Sequence, residues 1–107
     1  MTKEEFRKLA EQTLILDGAT GSNLMASGMP RGICTETWVI DHKDIIQNLQ
    51  RAYIKAGSQV IYAPTFGGNR LNLEKHGLAD RIEEINHTLV GYSKELTGNG
   101  VYVAGDI

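Results

Sequence analysis

Cysteine is nearly absent from this sequence, which holds Cys34 alone among its 107 residues. One thiol excludes an internal disulfide framework, and it excludes a cysteine-rich zinc site made by this chain alone. An excess of basic residues is missing too: 11 Lys and Arg against 13 Asp and Glu give a net charge of −2, which argues against a nucleic-acid partner. No apolar run approaches the ~20 residues of a membrane span, and the charged N-terminus lacks the apolar segment of a signal peptide. We therefore expect a cytoplasmic protein without a nucleic-acid or membrane partner.

Strand and helix signals alternate along the chain. Compact apolar runs at 13–16, 60–63 and 101–104 predict buried strands, each followed by turn residues. Residues 18–40 hold four glycines and one of the two prolines, so they are predicted to be mostly loop. Parallel strands joined by right-handed helical crossovers follow from this order, which indicates an α/β fold. Periodicity alone leaves both a barrel and a doubly wound sheet, such as a flavodoxin-like domain, open.

Helices are predicted from caps and from apolar spacing. Thr2 and Glu5 form a capping box before a short helix over 3–11, and a second short helix covers 69–76 after the cap Asn69. Longer helices begin at Asp41, where Gly57 would end the helix, and at Asp80. Their predicted core faces are Ile45, Ile46, Leu49, Ala52, Tyr53 and Ala56 in the first, and Ile82, Ile85, Leu89 and Leu96 in the second.

Each predicted strand delivers a polar residue at its carboxyl end, namely Asp17, Thr65 and Asp106. Ligands bind at that end of parallel α/β sheets and barrels, so we expect the three residues to form part of one site. Either aspartate taken singly can instead hold a turn together. Gly18 follows Asp17 in a loop that matches neither the dinucleotide motif nor a P-loop, and its glycines suit close approach of a ligand to the backbone.

Other reactive residues give weaker signals. Glu36 and Trp38 share a loop, where they either line the mouth of a pocket or serve as a rim charge and a packing anchor. The sequence shows no basic partner for Cys34, so its thiol is expected to be unreactive. The three histidines lack the spacing of a metal pair and are expected at the surface: His42, His76 and His87.

Several segments together resemble the homocysteine S-methyltransferase family. Residues 15–21, Ile-Leu-Asp-Gly-Ala-Thr-Gly, resemble its first-strand motif, Asp-Gly-Ala/Gly-x-Gly-Thr. Residues 64–70, Pro-Thr-Phe-Gly-Gly-Asn-Arg, resemble its segment Thr-Phe-Gly-Ala-Asn/Thr-Arg, and Gly-Asp-Ile at 105–107 resembles the opening of Gly-Asp-Ile-Gly-Pro. Residues 53–61 and 75–78 resemble the intervening helix, strand and turn. Within the family, the likeness is to the N-terminal homocysteine-binding domains of cobalamin-dependent methionine synthases.

This resemblance implies a (β/α)8 TIM barrel, a fold that needs roughly 250 residues. Residues 1–107 would then be a partial homocysteine-binding barrel domain of about three βα units, truncated after the third strand. It also implies transfer of a methyl group from methylcobalamin or a similar donor to homocysteine, whose thiol is activated by a zinc ion on three cysteines. Those cysteines follow the third strand in the family, so this chain holds no metal ligand.

The resemblance further implies roles for particular residues. Asp17 and Gly18 match positions that contact the amino-acid end of homocysteine, Thr65 and Asp106 match rim positions near it, and Glu36 lies where relatives carry acidic residues. We expect an inactive piece of a methyltransferase. The alternative is a self-associating partial barrel, a homo-oligomer formed through strand edges, which binds an amino-acid-like ligand without catalysis.

Overall fold

The computed structural model describes all 107 residues. Six α-helices, one 3-10 helix and two strands follow one another along the chain. Their order is α1 (Lys3–Leu9), α2 (Gly21–Ala26), α3 (Thr35–Asp41), α4 (Lys43–Ala56), β1 (Val60–Tyr62), α5 (Arg70–Glu74), the 3-10 helix (Ala79–Arg81), α6 (Ile82–Lys94) and β2 (Tyr102–Ala104). None of these helices is long and apolar enough to cross a membrane.

The sheet is parallel, as predicted. Val60 of β1 lies opposite Tyr102 of β2 and the register continues to Tyr62 and Ala104, while Leu16 forms a single parallel bridge to Val60 on the other side of β1. The predicted first strand is thus reduced to one bridge, so three full βα units are not seen. Its segment has one hydrogen-bonded neighbour only, and Leu16 keeps 47% of its surface exposed.

The strand order distinguishes between the two folds that the sequence left open, a barrel and a doubly wound sheet. β1 lies in the centre, between the Leu16 segment and β2, so the three segments lie side by side in the order of the sequence. A flavodoxin-like sheet would have its first strand in the centre, in the order 2-1-3. The flavodoxin-like alternative is therefore wrong, whereas neighbouring strands in sequence order are what a singly wound barrel requires.

Residues 18–40 are not mostly loop, because α2 and all but the last residue of α3 lie within them. Neither helix has a side-chain cap, and they have only six and seven residues. Leu24 of α2 and Val39 of α3 are fully buried in the core. Helices this short are marginal in isolation, so tertiary packing stabilises them and local sequence signals did not reveal them.

Two predicted helix starts are corrected by the structure, and three predicted caps are present. Asp41 ends α3 instead of capping α4, and Asp80 lies inside the 3-10 helix that precedes α6. The capping box of α1 is formed, as is the Asn69 cap, whose Oδ1 accepts from the backbone N–H of Asn72 at 2.9 Å. Gly57 ends α4 at φ +114°, a backbone conformation that glycine adopts easily and that is strained for residues with a side chain.

The buried face of α4 is rotated from the predicted stripe. Ala52 and Ala56 are exposed, whereas Gln47 and Gln50 are buried along with Ile46. Gln50 is satisfied inside the protein, since its amide donates to the Tyr62 carbonyl oxygen at 3.1 Å and to Ser93 at 3.0 Å. Hydrogen bonding therefore allows polar side chains at positions where an apolar pattern was expected.

The core lies among the helices and on one face of the sheet. α4 packs on β1 and α6 packs on β2, which buries Ile61 and Ala63 of the central segment completely. Tyr62, on the alternate face of β1, retains 37% exposure. The helices thus cover the face that carries Ile61 and Ala63, whereas the other face is exposed at Tyr62 and buried at Val60, which is 9% exposed. The apolar core cluster comprises Leu24, Met29, Cys34, Val39, Ile46, Leu73, Ile85 and Leu89.

Candidate functional site

The carboxyl ends of the three parallel segments form a rim that carries Asp17, Thr65 and Asp106, as the sequence predicted. Asp17 follows the Leu16 bridge, and its Oδ2 accepts from the backbone N–H of Tyr62 at 3.1 Å. Its own N–H donates to the Val60 carbonyl oxygen at 3.0 Å. Asp17 therefore ties the first segment to the end of β1 and is held at the rim.

The charge on Asp17 is disfavoured by its surroundings. Burial raises the pKa of Asp17, the hydrogen bond from the Tyr62 N–H partly opposes this rise, and the negative charge of Asp106 adds to it. The two carboxylates are thus close enough to repel each other. A cation placed between them would relieve both the desolvation and the repulsion.

Thr65 joins the end of β1 to the residues after β2. Its hydroxyl donates to the Asp106 carbonyl oxygen at 2.9 Å and accepts from the Asp106 N–H at 3.2 Å. Only 6% of Thr65 is exposed. Because its hydroxyl is occupied on both sides, the geometry gives Thr65 the role of holding Asp106 in place.

Glu36 is a buried carboxylate in the first turn of α3, with 4% of its surface exposed. The Cys34 thiol donates to its Oε2 at 3.4 Å, while Oε1 accepts no hydrogen bond within the chain. Oε1 lies against the backbone of Gly67, where a Cβ atom would stand only 2.3 Å away. The absence of a side chain at Gly67 therefore makes room for the carboxylate.

A cleft of about 490 Å³ lies beside this rim. Glu36 and Asp106 contribute acidic groups to its lining, and no lysine or arginine lines it. Asp17, Gly18 and Thr65 lie next to the cleft and not in its wall. The exposed His76, which we expected simply at the surface, also borders it. The remaining wall includes Thr20, Thr35, Pro64, Phe66, Asn69 and Asn72.

Trp38 serves as a packing anchor, the second of the two roles left open for it. Its ring stacks on His42 with centroids 3.9 Å apart, and it packs on the helical core away from the cleft. A larger cleft of about 730 Å³ lies between α1 and Tyr102. Tyr102 begins β2, so that cleft is at the opposite end of the strands from the rim, and ligands bind at the carboxyl end in folds of this class.

The loop after Asp17 presents unpaired backbone donors. The N–H groups of Gly18, Ala19 and Thr20 donate no hydrogen bond within the chain. Successive free amides suit an anion such as a carboxylate. Tyr53 of α4 contacts this loop, which the sequence pattern did not reveal, because helical spacing placed Tyr53 among the residues facing the sheet.

The residues present do not fit the zinc ion that the resemblance implies. No group of three or more His, Cys, Asp or Glu side chains lies close enough to hold a metal ion. Cys34 is buried, its thiol donates a hydrogen bond to Glu36, and it does not line the cleft. We therefore derive no role for a metal from residues 1–107.

Comparison with known proteins gives a consistent set of relatives. The family model described as homocysteine S-methyltransferase matches residues 14–107. Methionine synthase from Mycobacterium tuberculosis is 31% identical over 84 residues, which cover 73% of this chain and 7% of that protein. S-methylmethionine–homocysteine S-methyltransferase from Pongo abelii is 30% identical over 98 residues, which cover 90% of this chain and 26% of that protein.

Among solved structures, the metallated homocysteine methyltransferase MmuM from Escherichia coli has a similar fold. It superposes with a TM-score of 0.75 at 19% identity, over 92% of this chain and 39% of its own. At that identity the likeness shows the fold alone. The chain spans 7% and 26% of the two curated relatives' lengths.

Proposed function

Because the chain belongs to the homocysteine S-methyltransferase family, we propose that residues 1–107 form the first part of a homocysteine-binding barrel. The polypeptide that contains them transfers a methyl group to the sulfur of homocysteine and yields methionine. The observation that carries the proposal is the convergence of Asp17 and Asp106 at the carboxyl ends of the two parallel segments that flank β1, beside an acidic cleft. That edge is where α/β folds bind their ligands.

The charges around the cleft suit the amino-acid end of homocysteine. Its ammonium group would lie near the carboxylates of Asp17, Asp106 and Glu36, which no lysine or arginine of the cleft wall neutralises. Its carboxylate would accept from the free amides of the loop that starts at Gly18. A zwitterion satisfies both sets of groups, whereas a simple anion would be repelled by the acids.

The reaction breaks two bonds and forms two. The thiol of homocysteine gives its proton to water, its sulfur forms a new bond to the methyl carbon, and the bond between methyl and donor breaks with its electron pair left on the donor. Methylcobalamin or a similar methyl donor would supply the methyl group, and a zinc ion would supply thiol activation at neutral pH. Residues 1–107 provide substrate binding in this scheme.

The non-catalytic, self-associating alternative has no observation in its favour. The relatives are named as a methionine synthase and as homocysteine methyltransferases, and each match covers most of this chain. Oligomer formation through the open strand edges stays a prediction. Size measurement in solution, with and without homocysteine, tests it.

The test of the proposed function is homocysteine binding by calorimetry, with the polypeptide of the complete reading frame. Asp17→Asn and Asp106→Asn remove one charge each with little change of shape, and Asp80→Asn is the control, because Asp80 is exposed on the 3-10 helix. A charge-assisted hydrogen bond contributes about 1.5–3 kcal/mol, so the rim variants should bind at least about tenfold more weakly. Equal affinity in all four proteins would contradict the proposal, as would an absence of methyl transfer with every methyl donor tried.

A further inference from the structure

Tyr53 covers the loop that follows the first strand segment. Its phenol end lies against Gly18, where a Cβ atom would stand 3.0 Å from Cε1 and 3.0 Å from the hydroxyl oxygen. A side chain at residue 18 would therefore push the phenol away. Gly18 has no positive φ, so the close approach of Tyr53, and not the backbone conformation, is what favours glycine here.

The Tyr53 hydroxyl also fixes the next peptide group. It donates to the Ala19 carbonyl oxygen at 2.7 Å, and the Asn23 amide donates to the same oxygen at 2.8 Å. Two side chains from α2 and α4 thus hold one carbonyl in a loop that has no regular secondary structure. A strong local constraint on one peptide unit results.

A fixed carbonyl determines the direction of the amide in the same peptide unit. The Ala19 carbonyl and the Thr20 N–H belong to one planar trans peptide, so they point in opposite directions. With the carbonyl held toward Tyr53, the Thr20 N–H points away from Tyr53. Thr20 lines the rim cleft, and its N–H has no partner in the chain.

We propose that Tyr53 is a positioning residue that orients the free amide of Thr20 for the carboxylate of the amino-acid ligand. This inference rests on the proposed function, because homocysteine supplies the carboxylate. Tyr53 does not touch the reacting sulfur. Its effect is confined to ligands that carry a carboxylate, and that restriction distinguishes positioning from a general contribution to stability.

The variant Tyr53→Phe keeps the ring on Gly18 and removes the hydroxyl. The matched control is Tyr92→Phe, because the Tyr92 hydroxyl also donates to a backbone carbonyl, that of Ile40 at 3.1 Å, and lies outside the cleft wall. Binding of homocysteine and of 3-mercaptopropylamine, which is homocysteine without its carboxylate, is measured for both variants and the parent. The protein is the polypeptide of the complete reading frame.

A net hydrogen bond of this kind corresponds to about a 2–10-fold change in an equilibrium. We expect Tyr53→Phe to weaken the binding of homocysteine by that factor and to leave the binding of 3-mercaptopropylamine unchanged. Tyr92→Phe should change the binding of neither ligand. Unchanged homocysteine binding in Tyr53→Phe, or an equal loss for both ligands, would overturn the inference and leave the proposed function standing. If the parent protein binds no homocysteine, the proposed function fails and the inference fails with it.

Asn23→Ala gives an independent route if Tyr53→Phe does not fold. It removes the second donor to the Ala19 carbonyl from the exposed side of α2. The same selective loss of homocysteine binding is expected. If Asn23→Ala binds each ligand with the same affinity as the parent, the result would count against a fixed peptide at Ala19.

Discussion

Gly67 offers the sharpest test of how the acidic cleft is built. An alanine Cβ there would stand 2.3 Å from Oε1 of Glu36, 2.9 Å from its Cδ and 2.8 Å from Nδ2 of Asn72. Gly67 does not adopt a positive φ, so its backbone conformation is open to alanine. The whole effect of Gly67→Ala should therefore come from contact with these two side chains.

The required movement follows from the distances. Ordinary contact begins at 3.4 Å, so Oε1 must move by 1.1 Å, the difference between 3.4 and 2.3. Glu36 is 4% exposed and its Oε2 accepts a hydrogen bond from Cys34, so a shift of this carboxylate disturbs a packed and hydrogen-bonded side chain. Overpacking of this kind costs about 1–3 kcal/mol. For a domain of this size, that is a fall in Tm of at least about 4 °C.

Gly21→Ala is the matched control, since Gly21 also lines the cleft but has no atom within 4 Å of its added Cβ. Gly21 begins α2, where alanine should be neutral or stabilising by up to about 1 kcal/mol. Urea unfolding of both variants is compared in the parent and in a Glu36→Ala background. Relief of the Gly67→Ala loss by Glu36→Ala, with a coupling of at least about 0.5 kcal/mol, is expected. Equal losses for Gly67→Ala and Gly21→Ala, or no relief, would refute the packing explanation.

Three further predictions concern the rim and the segment after β1. Because burial raises the pKa of Asp17, its ionisation costs stability that is lost progressively as the pH rises from the ordinary aspartate pKa to the raised one. Asp17→Asn should therefore raise Tm at pH 7, and the gain should vanish below the ordinary aspartate pKa, whereas a pH-independent gain would contradict this. Thr65→Val removes both hydrogen bonds to Asp106 and should lose about 1–3 kcal/mol in urea unfolding, more than Thr65→Ser, which keeps them. Gly68→Ala introduces the alanine of the family pattern but places a Cβ 2.6 Å from the Asn86 Oδ1. It should therefore lower Tm in the parent, and lower it much less when it is added to Asn86→Ala.

The sequence predicted elements well where local signals and burial agree. β1 and β2 lie within apolar runs whose flanking turns mark their ends, and the caps of α1 and α5 are chemically explicit. α2 and α3 were missed because their stability comes from packing of Leu24 and Val39, which local patterns do not encode. The first apolar run was predicted to be a strand but forms a single bridge. Strand pairing depends on hydrogen-bonded neighbouring strands, and an apolar run does not encode these.

The candidate site was predictable to the extent that topology determines it. Parallel strands end at a common edge, so Asp17, Thr65 and Asp106 had to lie near one another once the strands were placed. The contact between Gly18 and Tyr53 joins residues far apart in sequence and depends on the exact approach of α4. Periodicity placed Tyr53 on the helix face expected to pack on the sheet, and it carries no information about which loop the ring covers.

Stability alone does not explain the acids at the rim. Asp17 is held where burial and the charge of Asp106 both oppose its ionisation, and Oε1 of Glu36 accepts no hydrogen bond from the chain. Neutral amides would satisfy the Tyr62 N–H at lower electrostatic cost. Nearby, the N–H groups of Gly18, Ala19 and Thr20 are hydrogen-bond donors without an acceptor in the chain. A ligand with an ammonium and a carboxylate on one carbon relieves both excesses at once, so the same features that destabilise the ligand-free rim favour an amino acid as its ligand.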